Sequence, residues 1–85
     1  MYSLEIGKKC HKDIKKHSKK NRPMEEALGK AVEKILENPE QFKPLRAPLQ
    51  NMRRMHVLGS YVLIYEIKGD VVRLLRFAHH DEAYR

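Results

Sequence analysis

The sequence predicts an α+β domain of two layers, in which two helices pack on one face of a β-sheet. Three observations carry this prediction. A short segment of alternating apolar and polar residues begins the chain, two segments with helical periodicity follow, and three strand-like segments separated by tight turns complete it. The predicted order of elements is β-α-α-β-β-β with a short C-terminal tail. With 85 residues, the chain is expected to form a single domain, residues 1–85, around one small core.

The first strand and the first helix are predicted in the N-terminal quarter of the chain. Residues 2–6 alternate apolar and polar side chains, as a strand with one buried face does. Residues 8–20 are expected to form a lysine-rich helix with one thin apolar stripe, because Cys10, Ile14 and His17 recur at helical spacing. This helix can bury only a narrow edge.

The second predicted helix begins at Pro23, which suits the first helical position, and ends before Asn38 and Pro39. Its apolar residues follow the helical period: Met24, Ala27, Leu28, Ala31, Val32, Ile35 and Leu36. The connection at residues 21–22 is short, so the two helices are expected to form an antiparallel hairpin packed on the sheet.

The C-terminal third predicts a three-stranded antiparallel meander. Its strands are expected at residues 53–58, 61–67 and 71–77. Gly59-Ser60 and Lys68-Gly69-Asp70 supply the two turns. Residues 43–49 precede the meander and are expected to be extended or looped, because two prolines resist both helix and central strand.

Positive charge exceeds negative charge and is unevenly distributed. Eighteen Lys and Arg against eleven Asp and Glu leave a net charge of +7. The cations concentrate in residues 8–22, where Asp13 is the only acid, and in residues 41–60, which contain no acid. Segregated positive charge captures polyanions, so a nucleic acid or an acidic protein is the expected partner. Solubility alone is the alternative explanation for the lysine-rich helix.

Several classes of protein are disfavoured by the composition. The single cysteine, Cys10, excludes an internal disulfide framework and favours a reducing intracellular setting. No apolar run approaches the roughly 18 residues that span a bilayer, and the N-terminus lacks the features of a signal peptide. The histidines and Asp81 lack the spacing typical of metal ligands. We therefore expect a cytoplasmic protein with no membrane association, no metal and no cofactor.

Strand parity places candidate functional side chains on the face of the meander opposite the helices. Side chains alternate along a strand, so if Met55 and Val57 face the helices, Arg54 and His56 face away from them. On the last strand, Arg76 has the opposite parity to its apolar neighbours Leu75 and Phe77. The expected open face is therefore bordered by Arg54, His56 and Arg76 and closed at one end by His79, His80 and Tyr84.

Two imidazoles beside guanidinium groups suit RNA cleavage by internal transesterification. Imidazole exchanges protons near neutral pH, so one group can take the 2′-hydroxyl proton while another protonates the leaving 5′-oxygen. Cations offset the charge of the transition state. His17 is expected to be structural because it lies on the inner helical stripe, and His11 is expected to be solvated. A turn with one satisfied histidine is the alternative explanation for His79 and His80.

The C-terminal half also resembles a known family. PLR and MRRMHVLGSYVLIYEI, followed by VVRLLRFAHHDEAY, are similar to the strand pair and terminal element of the RelE/ParE superfamily of bacterial and archaeal toxins. The resemblance extends over nearly the whole chain, including the lysine-rich hairpin, the ENP helix end and the KPL loop. The histidines make it most similar to the YafQ branch of ribosome-dependent mRNA interferases.

The resemblance implies a two-layer RelE-like fold and a type II toxin that cleaves mRNA in the ribosomal A site. The implied partners are this mRNA, ribosomal RNA and a cognate antitoxin. The residues implied in catalysis are His56, His80, Arg54, Arg76 and Tyr84, and those implied in RNA binding are Lys43, Arg46, Arg53 and Tyr61. The histidines would transfer protons, Arg54 and Arg76 would stabilise phosphate charge, and Tyr84 would stack on or orient a base.

Three positions depart from the family pattern and keep alternatives open. Lys43 stands where the YafQ branch has a histidine, Ser60 where it has an acid, and Val62 where the RelE branch has an arginine. One alternative is a ParE-like inhibitor of DNA gyrase, with the same fold and no nuclease chemistry. Another is a catalytically decayed toxin that only binds its antitoxin.

Overall fold

The computed structural model describes residues 2–46 and 51–83 of the chain. Its elements are β1 (Ser3–Ile6), α1 (Lys8–Ser18), α2 (Arg22–Glu37), a 3₁₀ turn (Pro39–Gln41), β2 (Met52–Val57), β3 (Tyr61–Lys68), β4 (Val71–His79) and α3 (His80–Ala83). The predicted order β-α-α-β-β-β is confirmed. The C-terminal tail begins as the helical turn α3, which the sequence did not predict.

The four strands form one mixed sheet in the order β1-β4-β3-β2. The pairs β2–β3 and β3–β4 are antiparallel, as the predicted meander requires. The N-terminal strand β1 pairs with β4 in parallel, with Ser3 opposite Val71 and Ile6 opposite Leu74. The first strand of the chain therefore lies beside the last, and β1 and β2 are the two edges of the sheet.

The main core lies between the two helices and one face of the sheet. Its buried members are Cys10, Met24, Leu28, Ala31, Ile35, Val57, Leu63, Tyr65, Val72, Leu74 and Phe77. The helix α2 supplies four of these at helical spacing, and the side chain of Asn21 caps its start by accepting a hydrogen bond from the Met24 backbone N–H (3.1 Å). The helix α1 buries Cys10 but leaves Ile14 half-exposed, which agrees with its thin apolar stripe.

The opposite face of the sheet is partly covered, so it is less open than strand parity suggested. Val62, Ile64, Ala78 and Ala83 are buried there, and Leu45, Met52 and Leu75 pack against them. The physical reason is that β3 is apolar on both faces from Val62 to Tyr65 and therefore needs cover on both. The helical turn α3 and the segment before β2 provide part of that cover.

A bulge in β4 changes the expected alternation. Tyr65 lies opposite Leu74 and Ile64 lies opposite Arg76, so Leu75 is an additional residue on β4. Leu75 consequently packs on the face away from the helices, whereas Phe77 is in the helix-facing core. The prediction that Leu75 and Phe77 share a face was wrong, because the inserted residue shifts the parity of the strand.

The buried Cys10 thiol and Tyr65 hydroxyl are expected to make the stability of the fold decrease at alkaline pH. Burial raises the pKa of the Cys10 thiol from 9.0 to about 12; Asp13 adds to this rise and Arg76 opposes it. Burial also raises the pKa of the Tyr65 hydroxyl from 10.0 to about 12, against the opposing effect of Arg53. The folded state thus favours both neutral forms. The contribution of these two groups to the free energy of unfolding should be constant well below pH 9.0 and should fall as the pH rises toward 12.

Chemical denaturation at pH values between about 8 and 11 measures this decline directly. Cys10→Ala should lower stability at neutral pH through lost packing, but it should make the alkaline decline begin later, where Tyr65 titrates. Tyr65→Phe should remove the later part of the decline. A decline that is identical in both variants and in the unchanged protein would contradict the assignment.

Candidate functional site

Arg54 and His56 lie on the face of the sheet away from the helices. Arg54 pairs with Ile64 and His56 pairs with Val62, and both partners belong to the apolar cluster on that face. This is the placement that strand parity predicted. The imidazole of His56 is exposed at the end of β2, close to the turn that leads into β3.

His80 meets His56 because α3 folds back from the end of β4. The His80 backbone N–H donates a hydrogen bond to the carbonyl oxygen of Ser60 (2.7 Å), which joins the start of α3 to the β2–β3 turn. The imidazoles of His56 and His80 then stack with ring centroids 6.4 Å apart and planes 19° apart. Both rings are accessible, so one phosphate or ribose could contact the two of them.

Two cavities that share Lys43 and Arg54 lie along the edge of β2, and His56 lines the first of them. The first, of about 370 Å³, is lined by Phe42, Lys43, Arg54, Met55 and His56. The second, of about 350 Å³, is lined by Lys43, Pro44, Leu45, Arg46 and Arg54. The backbone N–H of Arg54 donates to the carbonyl oxygen of Lys43 (3.3 Å), which keeps their Cα positions close. The structure thus places three predicted residues, Lys43, Arg54 and His56, around one cavity, and a fourth, Arg46, at the cavity beside it.

Arg53 is placed differently from the RNA-binding role predicted for it. Its Nη1 donates hydrogen bonds to the carbonyl oxygens of Glu40 (3.1 Å) and Phe42 (2.8 Å). The guanidinium therefore holds the segment that precedes β2 and is half-buried in doing so. Strand parity already indicated that Arg53 lies on the other face from Arg54, because it has the parity of Met55.

Tyr61 is also directed away from the histidine pair. Its ring packs against Phe77 with centroids 5.5 Å apart, and it makes edge contacts with His17 (5.1 Å) and His79 (5.6 Å). Tyr61 lies opposite Val57, on the helix-facing side of the sheet. His17 contributes to the same aromatic group, in agreement with the structural role predicted for it.

Arg76 is engaged by α1. Its Nε donates to the Asp13 Oδ2 (2.8 Å), and the backbone N–H of Phe77 donates to the same oxygen (3.0 Å). Within the described residues, the pairing between β1 and β4 ends at Ile6 and Leu74, so Asp13 supplies the acceptor that β4 needs beyond that point. Only 25% of the Arg76 side chain and 15% of the Asp13 side chain are exposed. Arg76 was expected to stabilise phosphate charge on the face that carries Arg54 and His56, but its guanidinium is paired with Asp13 instead.

Asp81 is a residue of this region that the sequence analysis did not assign. Its carboxylate lies 3.6 Å from Nδ1 of His80 and 3.7 Å from Nδ1 of His79, and its backbone N–H donates to His79 Nδ1 (3.2 Å). The available signal was adjacency, because Asp81 follows both histidines directly in the chain. It is 77% exposed, so solvent screens its charge. Tyr84, which was predicted to contact a base, lies outside the described residues.

Among residues 2–46 and 51–83, no three His, Cys, Asp or Glu side chains are grouped so that they could hold a metal ion. None of the helices in the same part of the chain is long and apolar enough to cross a membrane.

Comparison with known proteins identifies the family. The profile described as "ParE toxin of type II toxin-antitoxin system, parDE" matches residues 4–84. A relative from Methanocaldococcus jannaschii that bears the name toxin RelE4 is 34% identical over 87 residues, which cover 100% of this chain and 93% of the relative. The chain therefore belongs to the ParE toxin family of type II toxin–antitoxin systems, within the RelE/ParE superfamily.

Solved structures agree on the fold. A copper-bound mutant toxin from Helicobacter pylori superimposes with a TM-score of 0.83 at 24% identity, over 98% of this chain and 99% of that one. YafQ in the DinJ–YafQ complex from E. coli superimposes with a TM-score of 0.76 at 22% identity, over 100% of both chains. At these identities the likeness concerns the fold alone, and it confirms the predicted RelE-like architecture.

Proposed function

We propose that this toxin is an endoribonuclease that inhibits translation by cleaving mRNA in the ribosomal A site. The observation that carries the proposal is the stacked pair of His56 and His80, which come from different elements and lie 6.4 Å apart beside a cationic cavity. Two accessible imidazoles at this separation are suited to act on the two sides of one phosphodiester. Because ribosomes are the proposed site of action, the protein would work in the cytoplasm.

The proposed reaction is an internal transesterification. One imidazole, in its neutral form, takes the proton from the ribose 2′-hydroxyl as the 2′-oxygen bonds to phosphorus. The other, in its protonated form, gives a proton to the 5′-oxygen as the P–O5′ bond breaks. The products are a 2′,3′-cyclic phosphate and a free 5′-hydroxyl, and the two imidazoles have exchanged protonation states.

The cations of the β2 edge would hold the substrate during this reaction. Lys43 and Arg54 line the cavity that contains His56, so their charges lie where negative charge would accumulate on the phosphorane-like transition state. Lys43 cannot easily act as the base that a histidine would supply at this position, and we assign it to phosphate binding. Arg53 and Arg76 would act indirectly, because their guanidinium groups bind other parts of the chain.

Ribosomal RNA is the proposed partner of the helix α1. Its exposed cations are Lys8, Lys9, Lys12, Lys15 and Lys16, followed by Lys19 and Lys20 in the turn after it. A face with this density of positive charge supplies sequence-independent attraction to phosphate. Binding through α1 would bring the toxin to the ribosome, while His56 and His80, which lie outside α1, would contact the message.

An antitoxin is the proposed protein partner, in line with the complex of DinJ and YafQ named above. The antitoxin should be acidic, because the toxin carries a net charge of +7, or it should present an amphipathic helix. An apolar cavity of about 360 Å³ beside the β1 edge could receive such a helix. It is lined by Ile6, Ile14, Ser18, Glu25, Leu28, Gly29, Val32 and Leu74.

Inhibition of DNA gyrase is the second candidate function. It is favoured by the match to the ParE profile over residues 4–84, and by Ser60 and Val62, which stand where the nuclease branches have an acid and an arginine. The same fold would then act on a protein target, and the two histidines would have no catalytic part. If neither nuclease activity nor gyrase inhibition is detected, the protein would be a decayed toxin that only binds its antitoxin.

Addition of the purified protein to an in vitro translation reaction tests the proposal. We expect messages to be cut within codons, and primer extension should locate the cuts only when ribosomes are translating. Naked message without ribosomes serves as the control. Intact messages together with inhibited gyrase supercoiling would refute the nuclease and favour the ParE-like function.

Expression in cells tests the toxin–antitoxin relationship separately. Induction of the toxin alone is expected to arrest growth, because the whole pool of translating ribosomes is exposed to it. Co-expression of the adjacent antitoxin gene should restore growth. Unaffected growth at high expression, with normal translation and normal DNA supercoiling, would support the decayed-toxin alternative.

A further inference from the structure

We infer that the two cavities along the β2 edge form a dinucleotide subsite, which holds two consecutive nucleotides next to the histidine pair. This inference rests on the proposed function, because it takes single-stranded RNA as the ligand. It goes further in assigning Phe42 and Leu45 to the recognition of the two nucleosides, on either side of the phosphate that Lys43 is proposed to bind. The proton transfers described above require neither Phe42 nor Leu45.

The division of polar and apolar groups between the cavities matches the repeat of a nucleic acid strand. Each cavity has an apolar wall of its own, Phe42 with Met55 in the first and Pro44 with Leu45 in the second. The side chains common to both are the two cations Lys43 and Arg54. Two nucleosides joined by a phosphate have the same arrangement, with an apolar ring on each side of one negative charge.

The sizes of the cavities are consistent with one nucleoside each. Their volumes, about 370 Å³ and 350 Å³, are at the small end of the roughly 300–1,000 Å³ found for small-molecule sites. The first cavity includes His56, so the nucleotide bound there would adjoin the histidine pair. The strand would then run past Lys43 and Arg54 into the second cavity, where Arg46 could contact the next phosphate.

The wall of this subsite is held in place before any ligand binds. Arg53 Nη1 donates to the carbonyl oxygens of Glu40 and Phe42, and the Tyr65 hydroxyl donates to the carbonyl oxygen of Pro39 (2.5 Å). The Leu45 backbone N–H donates to the carbonyl oxygen of Met52 (2.9 Å). Residues 39–45 are therefore attached to β2 and β3 at several points. A wall attached in this way loses little conformational entropy on binding, which favours affinity.

Phe42 is the residue expected to distinguish a nucleobase from a simple phosphate. Its ring is only half-buried, and it lines the cavity next to the two cations. Stacking of a base on an aromatic ring contributes about 1–3 kcal/mol, a factor of about 5 to 150 in affinity, and it tolerates any base. The subsite should therefore bind dinucleotides of different sequence with similar affinities.

Binding of a dinucleotide that cannot be cleaved tests this inference. The probe is 2′-O-methyl adenylyl-adenosine, in which the nucleophilic 2′-hydroxyl is blocked, titrated calorimetrically against the purified protein. We expect it to bind at least about tenfold more tightly than adenosine monophosphate, because it fills both cavities. Phe42→Leu, which keeps apolar bulk but removes the ring, should weaken binding about tenfold, and Phe42→Tyr should retain it.

Charge is tested with a matched pair of variants. Lys43→Gln should weaken dinucleotide binding several-fold, whereas Lys30→Gln, which removes the same charge from an exposed position on α2, should not. Thermal unfolding of each variant shows whether it is folded. Equal affinity for the dinucleotide and the monophosphate would overturn the inference, as would equal effects of Lys43→Gln and Lys30→Gln.

Message cleavage, measured on the same preparations, separates this inference from the proposed function. If messages are cleaved but the Phe42 and Lys43 variants bind the dinucleotide as well as the unchanged protein does, the subsite is refuted and the proposed nuclease function is retained. Binding that depends on both residues, with messages left uncut, would retain the subsite and refute the nuclease. Absence of binding and of cleavage would refute both.

Discussion

Replacing His56 or His80 with alanine is expected to slow message cleavage by about 10²–10⁴-fold. Each imidazole is proposed to carry one of the two proton transfers, and the 6.4 Å stack places both within reach of one phosphodiester. The double variant should reduce the cleavage rate by much less than the product of the two single reductions, because the effects of residues that act as a unit are not additive. Single-turnover cleavage on programmed ribosomes measures all three variants.

His11 provides the matched control for this prediction. It is an exposed histidine on α1, so His11→Ala removes an imidazole without touching the histidine pair. We expect it to cleave at close to the unchanged rate. Because His56 and His80 are also exposed, the free energies of unfolding of their alanine variants should lie within about 0.5 kcal/mol of that of the unchanged protein. Full cleavage activity in folded His56→Ala would remove the central residue of the proposed site.

Replacing Asp13 with alanine is expected to destabilise the fold by about 2–3 kcal/mol. The variant leaves the backbone N–H of Phe77 without its acceptor and leaves the Arg76 guanidinium, whose side chain is only 25% exposed, without its counter-ion. Unsatisfied groups of this kind carry the full cost of their desolvation. In a domain of this size, the melting temperature should fall by roughly 10–20 °C.

Two comparisons separate the local contacts of Asp13 from a general effect of charge. Asp13→Asn keeps an oxygen that can accept from Phe77 but loses the ion pair, so its cost should be intermediate. Glu26→Ala breaks a pair with Arg22 whose side chains are 67% and 89% exposed, and it should have little effect. Equal melting temperatures for Asp13→Ala and Glu26→Ala would show that Asp13 does not anchor β4.

Part of the candidate site follows from local sequence because alternation along a strand is a local property. The assignment of Arg54 and His56 to one face required only that Met55 and Val57 face the helices, and the register with β3 confirms it. The same rule applied to β4 went wrong after Leu74, where a bulge inserts Leu75. A bulge is set by the pairing of two strands, and the residue types of one strand do not reveal it.

The roles of the individual arginines could not be separated from the sequence. Arg53, Arg54 and Arg76 are chemically identical, and each was assigned to phosphate. Their different placements arise from groups distant in the chain: carbonyl oxygens of the segment before β2 for Arg53, and Asp13 of α1 for Arg76. Parity indicated that Arg53 and Arg54 differ, but only the contacts show what Arg53 binds.

The order of the elements, the helix-facing core of α2, the excess of positive charge and the parity of β2 were determined by the sequence alone. Each depends on periodicity or composition within a short segment, where side chains repeat at 3.6 or 2 residues. Tertiary structure alone decided that α3 brings His80 to His56, that Asp13 binds Arg76, and that residues 42–46 line two cavities with β2. These contacts join segments far apart in the chain. Their geometry depends on strand register and on the satisfaction of backbone hydrogen bonds, which no single segment contains.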